Sequence, residues 1–278
     1  MPKTLSILRY PGGKSRLYDF VRTIIRENHL QNKIYVEPFA GGFGLGLKLL
    51  LNGDVEKVII NDYDYHIYCF WKCVFMSTDE LIDKIKTVDI NIQEWHKQKN
   101  IYANYQAYSE LEIGFSALFL NRTNYSGVLR GGPIGGLEQK GKYKIDCRFN
   151  KQRIINRIIE IAKFKDQVEV YNFDAIQLIQ ELKPRENKLF FNFDPPYVKK
   201  GPVLYLNSYK EDDHTKLKDA ITHIQTEWIM TYDNDELIKN LYGEYEITLL
   251  TLGYSMHHKR TEKELFISNF YHVDDSIS

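Results

Sequence analysis

The chain has 278 residues, 43% hydrophobic and 27% charged, which excludes a disordered chain, a collagen and a disulfide-stapled miniprotein and suits one large domain or one domain carrying an insertion. Lysine plus arginine and aspartate plus glutamate each number 37, so the formal charge is zero and any affinity for nucleic acid has to come from local segregation of charge. No stretch approaches the roughly 18 consecutive apolar residues of a membrane helix, and Met1 to Arg9 lacks the apolar core of a signal peptide, so a cytoplasmic protein with no membrane partner is expected.

From the N-terminus, a loop with Pro11, Gly12 and Gly13 leads into a helical stretch, and Lys33 to Val36 is predicted as a short buried strand ending in Glu37-Pro38. Gly41, Gly42, Gly44 and Gly46 then precede Leu47, Leu49, Leu50 and Leu51, the pattern of a tight turn opening a helix. Val58 to Asn61 gives a second strand closed by Asp62. From about Tyr63 to Ile113 the periodicity is helical, and from Asn121 to Tyr143 Gly, Asn and Arg without periodicity predict a loop or hairpin. Cys69 and Cys73 lie at helical spacing and, with Cys147, make an odd set without a metal-like framework, so reduced thiols are expected.

Strand-like runs return at Val168 to Tyr171, Leu189 to Phe193, Trp228 to Tyr232, Tyr245 to Leu250 and Leu265 to Asn269, separated by helical segments such as Ala175 to Leu182 and His214 to His223. Alternation on both sides of an insert predicts an open, mostly parallel α/β sheet with a helical and hairpin subdomain emerging from its middle. Such sheets bind ligands at the carboxyl ends of their strands, which singles out Glu37, Asp62, Asp174 and Asp194.

The glycine run fits neither common phosphate loop. A P-loop needs a glycine where Leu8 stands ahead of Gly13-Lys14-Ser15, and Gly42, Gly44 and Gly46 give G-x-G-x-G in place of G-x-G-x-x-G. An acidic residue ahead of the turn suits a cationic, hydroxyl-rich molecule better than a pyrophosphate, and Asp62 is placed to accept from a ribose diol. The plainer alternative is that Glu37 caps a helix and Asp62 closes a turn. Asn192-Phe193-Asp194-Pro195-Pro196-Tyr197 carries a carboxylate out of an apolar strand into two prolines, whose carbonyls only accept, and an aromatic ring on which a planar base can stack. A rigid connector is the competing reading.

Between Asn121 and Arg157, nine basic residues face only Glu138 and Asp146, a local excess in a neutral chain and interleaved with Tyr125, Tyr143 and Phe149. A solvated charged face is the ordinary reading; a nucleic-acid surface is the functional one. The adjacent His257 and His258 would point to opposite faces of a strand and make a poor metal pair.

Arg9-Tyr10-Pro11-Gly12-Gly13-Lys14, Glu37-Pro38-Phe39-Ala40-Gly41-Gly42 and Asp194-Pro195-Pro196-Tyr197, in that order across nearly the whole chain, resemble the Dam-like DNA adenine-N6 methyltransferases, the D12 class with the α order of motifs. The resemblance implies a Rossmann-like S-adenosylmethionine-dependent fold with an inserted helical and β-hairpin target-recognition domain. Residues 1–64 and 165–278 would be catalytic and 65–164 would recognise DNA.

It further implies that Tyr10, Lys14, Glu37, Pro38, Phe39, Ala40, Gly41, Gly42, Asp62, Phe173, Asp174 and Asp194 line the cofactor site. Asp62 would take the ribose, Phe173 would pack on the cofactor adenine and Asp174 would accept from its amino group. Asp194, Pro195, Pro196 and Tyr197 would hold a flipped adenine whose N6 attacks the methyl carbon without a metal, leaving S-adenosylhomocysteine. Arg122, Asn124, Tyr125, Ser126, Arg130, Lys142, Lys144 and Arg148 would meet double-stranded DNA.

A monomer with a cognate restriction endonuclease is expected, with GATC one possible site. Three other readings remain open on the residues alone. They are methylation of an RNA adenine, methylation of a protein glutamine, whose enzymes usually place Asn before Pro-Pro-Tyr, and a non-catalytic DNA-binding module.

Overall fold

The computed structural model describes residues 6–9, 14–198, 209–256 and 258–270. Seven strands, β1 (Ile34–Glu37), β2 (Lys57–Asn61), β3 (Val168–Tyr171), β4 (Leu189–Phe193), β5 (Trp228–Asp233), β6 (Glu246–Met256) and β7 (His258–Ser268), form one sheet in the order β3-β2-β1-β4-β5-β7-β6. The first five run parallel, and β7 lies antiparallel between β5 and β6. The order reverses between β1 and β4, where an open α/β sheet offers a crevice beyond the strand ends.

Side chains alternate across the sheet with the period of two that strands impose. Tyr35, Val58, Ile60 and Phe190 enter one apolar core, whereas Val36, Ile59, Phe191 and Phe193 enter the other. Every residue of β4 is buried, which explains its unbroken Leu-Phe-Phe-Asn-Phe run. The second core is covered by α8 (Ala175–Leu182), α9 (Glu211–Thr222) and α10 (Glu236–Leu241), and the first by α1 (Tyr18–Glu27), α2 (Gly44–Leu51) and the insert.

The predicted strands all occur. The last two are longer by several residues, pairing from Glu246 opposite Ser268 to Met256 opposite His258. Residues 251–263 are mostly polar, so no apolar alternation marks this ribbon, which its backbone ladder defines. His257 lies outside the described residues.

Between β2 and β3 the chain forms α3 (Tyr65–Met76), α4 (Thr78–Thr87), α5 (Ile92–Ala103), α6 (Glu110–Thr123) and α7 (Lys151–Ala162). Helix α6 begins with a reciprocal Ser109/Glu112 capping box and is buried on nearly all sides, which makes it the axis of the insert. Insert residues such as Phe70, Trp71 and Phe119 share a core with Tyr35 and Phe190 of the sheet, so the expected boundary at 64/65 divides the sequence but not the packing. Cys69 and Cys73 are buried on α3 and Cys147 is exposed, all three as free thiols.

The expected β-hairpin of the insert takes another form. After α6 the chain makes a compact loop joined by a single antiparallel bridge between Asn124 and Pro133, because the glycines of 127–141 favour turns over a ladder. No described helix is long and apolar enough to cross a membrane.

Candidate active site

Parallel strands put their carboxyl ends on one edge, so Glu37, Asp62, Asp194 and Asp233 close β1, β2, β4 and β5 along the same side. Asn61, the last residue of β2, ties two of these ends together. Its Nδ2 donates to the carbonyls of Pro38 (2.8 Å) and Phe173 (3.0 Å), and its Oδ1 accepts from the Phe173 amide (2.9 Å). The side chain is completely buried, so the loops after β1 and β3 are fixed by one amide with no water competing.

The turn after β1 is built for close approach. Gly41 adopts φ +46°, its amide donates to Asp62 Oδ2 at 2.7 Å, and its carbonyl accepts from Trp71 Nε1 at 2.9 Å. Ser6 donates to the Gly42 carbonyl, and the Ala40 amide donates to the Asn61 carbonyl at 2.9 Å. Phe43, buried at φ +46° where a bulky side chain is strained, opens α2.

Two carboxylates sit behind this turn. Glu37 Oε1 accepts from the Tyr35 hydroxyl (2.9 Å) and the Gly46 amide (3.1 Å), and burial, reinforced by Asp194, raises its pKa to about 8 against those bonds. Asn192 donates to the same Tyr35 oxygen at 2.7 Å, so a polar chain runs under the sheet edge from β4 to β1. Burial, with Asp64 adding to it, raises Asp62 to about 7 although the amides of Gly41 and Asp64 donate to its two oxygens. Both acids behind the glycine turn are shifted toward the neutral form, so a neighbouring cation would favour their charge and hydroxyls would find acceptors. Those properties fit S-adenosylmethionine, an ammonium and sulfonium joined to a ribose.

Asp174 is less available than expected, because it caps α8. Its Oδ1 accepts from the Ile176 amide at 2.9 Å, and Gln177 answers to its backbone. Phe173 stacks on Tyr171 at 5.7 Å and 27°, and Phe39 meets Tyr209 edge-on at 6.0 Å.

The end of β4 carries a third carboxylate, Asp194. Asp194 Oδ1 accepts from Thr231 Oγ1 at 2.9 Å and lies 3.2 Å from Lys14 Nζ, while its side chain keeps 24% of its surface exposed. Among the described residues no donor is paired with Oδ2. Burial, joined by Glu264, raises the Asp194 pKa in spite of Lys14. Pro195 is buried and Pro196 half-buried; Asp233 Oδ1 accepts from the Val198 amide at 3.1 Å and fixes the loop from below. Tyr197 is more enclosed than a free stacking platform. It is 6% exposed, tilted against Tyr232, and its hydroxyl meets Lys14 Nζ.

Lys14 therefore stands among Asp194, Tyr197 and Glu264. Burial would lower its pKa, but the two carboxylates outweigh that and hold it above the ordinary value. Tyr10, the other aromatic of that loop expected at the cofactor, lies outside the described residues. Thr231, Glu264, Asn61, Asn192 and Tyr35 escaped the sequence reading. Asn192 inside an all-apolar strand and Glu264 in phase with Phe266 were the signals available.

The proposed DNA residues divide. Tyr125, Ser126, Arg130, Lys142, Lys144 and Arg148 are exposed on the insert loop. Asn124, expected at that surface, is instead fully buried; Oδ1 accepts from Trp95 at 2.7 Å and Nδ2 donates to the carbonyls of Val128 and Leu129. Arg122 is half-buried, its Nε has no hydrogen-bond partner among the described residues, and burial together with Arg9 and Arg153 lowers its pKa to about 10. Arg9, which the sequence reading had not assigned to DNA, thus joins Arg122 and Arg153, two of the nine basic residues of that reading, in one cationic cluster.

Comparison with known proteins then decides the family. The family model for the D12 class N6 adenine-specific DNA methyltransferases matches residues 10–256, spanning the glycine turn, the Asp194 loop and the whole insert. The chain belongs to that family.

This D12 methyltransferase is 26% identical over 220 residues, 74% of its own length and 73% of the relative's, to the Type II methyltransferase M.MjaIII of Methanocaldococcus jannaschii. It is also 28% identical over 142 residues, half of its length and 18% of the relative's, to the DNA N-6-adenine-methyltransferase of Escherichia phage P1. Membership resolves the acceptors that the residues alone left open in favour of adenine in DNA.

Proposed function

We propose that this D12 methyltransferase is site-specific and uses S-adenosylmethionine to methylate N6 of an adenine flipped out of double-stranded DNA, with Asp194 as the acceptor of the amine. The observation that carries this reading is the half-satisfied carboxylate of Asp194. One oxygen is held by Lys14 and Thr231, and the other lies in a partly open loop followed by a proline carbonyl.

Bound S-adenosylmethionine supplies an activated methyl group on sulfur. Glu37 and Asp62, with the turn from Phe39 to Gly42, would hold its ammonium and ribose; Phe173 would flank its adenine, and Asp174 would share its capping carboxylate with the amino group. On the target side, Asp194 and the Pro195 carbonyl would accept the two amine hydrogens, directing the N6 lone pair at the methyl carbon. As the new C–N bond forms and the C–S bond breaks, the nitrogen becomes cationic. Fixed acceptors favour that state, and one N–H proton then leaves through Asp194 to solvent. A base inside a duplex cannot reach this loop, so extrusion at a cost of a few kcal/mol is required. The exposed Tyr125 and the arginine cluster stand on the insert to offset it.

Transfer of tritiated methyl from S-adenosylmethionine to unmethylated duplex DNA, compared with RNA and protein, tests the reading. Label in DNA adenine alone is expected; label confined to RNA or protein overturns it.

A further inference from the structure

The Lys14 ammonium is shared between two carboxylates 70 positions apart in the sequence, Asp194 in the loop after β4 and Glu264 on β7. Asp194 Oδ1 and Glu264 Oε2 each lie 3.2 Å from Nζ, and the side chains of Lys14 and Glu264 are only 7% and 3% exposed. Glu264 sits on β7 opposite Asp233 of β5, so the sheet register carries it to the strand end next to the Asp194 loop. A charge buried this deeply in β7 is costly unless it is compensated, and the residues that follow it, Leu265, Phe266 and Ile267, are all buried and apolar. Lys14 also meets the Tyr197 hydroxyl and lies 4.8 Å from the centre of that ring, so one cation organises both ends of Asp194-Pro195-Pro196-Tyr197.

We propose that Glu264 is a positioning residue for methyl transfer: by sharing Lys14 with Asp194, it holds the ammonium where Oδ1 stays anchored and Oδ2 is left to accept from the target amine. The inference rests on the assignment of Asp194 as the amine acceptor. Its physical logic is charge balance. Without Lys14, Asp194 and Glu264 are two neighbouring buried carboxylates, and one takes up a proton. A protonated Asp194 is a poor acceptor. Without Glu264, the pull of Lys14 on Asp194 is no longer shared with a second carboxylate, which draws Asp194 out of position and weakens it as an acceptor. Without both, Asp194 keeps Thr231 and is relieved of the carboxylate that competes with it for a proton.

A charge-compensation cycle tests this. Single-turnover methyl transfer to unmethylated duplex and the affinity for S-adenosylmethionine are measured for the full chain and for Lys14→Met, Glu264→Gln and the double variant. Lys14→Met is expected to slow transfer by about 100-fold, on the scale of losing one preorganised electrostatic partner. Glu264→Gln alone is expected to slow it about tenfold, and adding it to Lys14→Met to recover about tenfold, a non-additivity reserved for residues acting as a unit.

Cofactor affinity is expected to stay within about threefold throughout, which separates positioning from binding. A double variant as slow as Lys14→Met, or a Glu264→Gln enzyme with unchanged transfer rate, overturns the inference. Should Lys14→Met fail to fold, the rate and affinity of Glu264→Gln decide alone. Failure of the unsubstituted enzyme to label DNA is a separate outcome that removes the assignment beneath.

Discussion

The side-chain amide of Asn121 grips both polar backbone groups of Arg9: Oδ1 accepts from the Arg9 amide at 2.7 Å and Nδ2 donates to its carbonyl at 3.0 Å. The same Nδ2 reaches the Gly127 carbonyl, and a Cβ at Gly127, whose φ is +78°, would stand 2.2 Å from the Arg9 oxygen. Asn121 lies on α6 and Arg9 just ahead of the segment leading to Lys14, so the insert and the catalytic edge are joined through backbone rather than through flexible side chains. Asn121→Ala leaves buried partners unsatisfied and is expected to cost about 1–3 kcal/mol of stability. DNA-dependent transfer should fall further than S-adenosylmethionine affinity. Denaturant unfolding and single-turnover assays check both.

Arg122 is flanked by Arg9 and Arg153, and among the described residues no acid offsets the effect of burial on it. In the free protein that cluster is repulsive; beside phosphates it becomes an asset. Arg153→Ala should leave the melting temperature unchanged or higher while weakening DNA binding. The slope of log K against log salt should shrink by about 0.9 for the phosphate contact removed. A destabilised variant with an unaltered salt slope would mark Arg153 as structural.

Glu37 titrates near pH 8 because burial, with Asp194 nearby, disfavours its charged form. The sign follows directly. Its folded pKa is raised, so its contribution to stability is complete below the ordinary glutamate range and is lost as pH climbs toward 8. A cationic ligand reverses the preference, so binding S-adenosylmethionine at pH 7 should release a proton, with affinity rising up to about pH 8. Calorimetry in two buffers of different ionisation enthalpy measures that proton. Glu37→Gln should reduce it to the share that Asp62 supplies; proton uptake by the unsubstituted protein would contradict the assignment.

Arg130 is exposed on the insert loop, and Lys99 donates to its carbonyl at 3.3 Å, which fixes its backbone while leaving the guanidinium outside. If it reads a guanine edge, Arg130→Ala costs about 1–3 kcal/mol of discrimination at one position of the site. Sequencing of methylated adenines in randomised duplexes reports this, whereas a uniform loss over all sequences marks a phosphate contact.

The sheet was legible because its strands are short, apolar and bounded by turn residues; Leu189 to Phe193 and Ala175 to Leu182 keep their expected limits. Strand-end carboxylates were legible for the same reason, since a parallel sheet brings all carboxyl ends together. What sequence could not supply were pairings between distant segments. Asn61 reaching Phe173, Asn192 reaching Tyr35 and Lys14 reaching Glu264 depend on strand order. Asn124 illustrates the converse. In a loop of Gly, Asn and Arg its polarity suggested DNA, but Trp95, Val128 and Leu129 use every polar atom of its side chain inside the fold.

The most direct test of the account is methyl transfer by Asp194→Ala alongside its cofactor affinity. The substitution removes the carboxylate anchored by Thr231 and Lys14 and leaves the Glu37 and Asp62 cleft in place. Single-turnover methylation of duplex DNA should disappear while S-adenosylmethionine binds with nearly unchanged affinity. Normal turnover in that variant would contradict the assignment of Asp194 as the acceptor of the target amine.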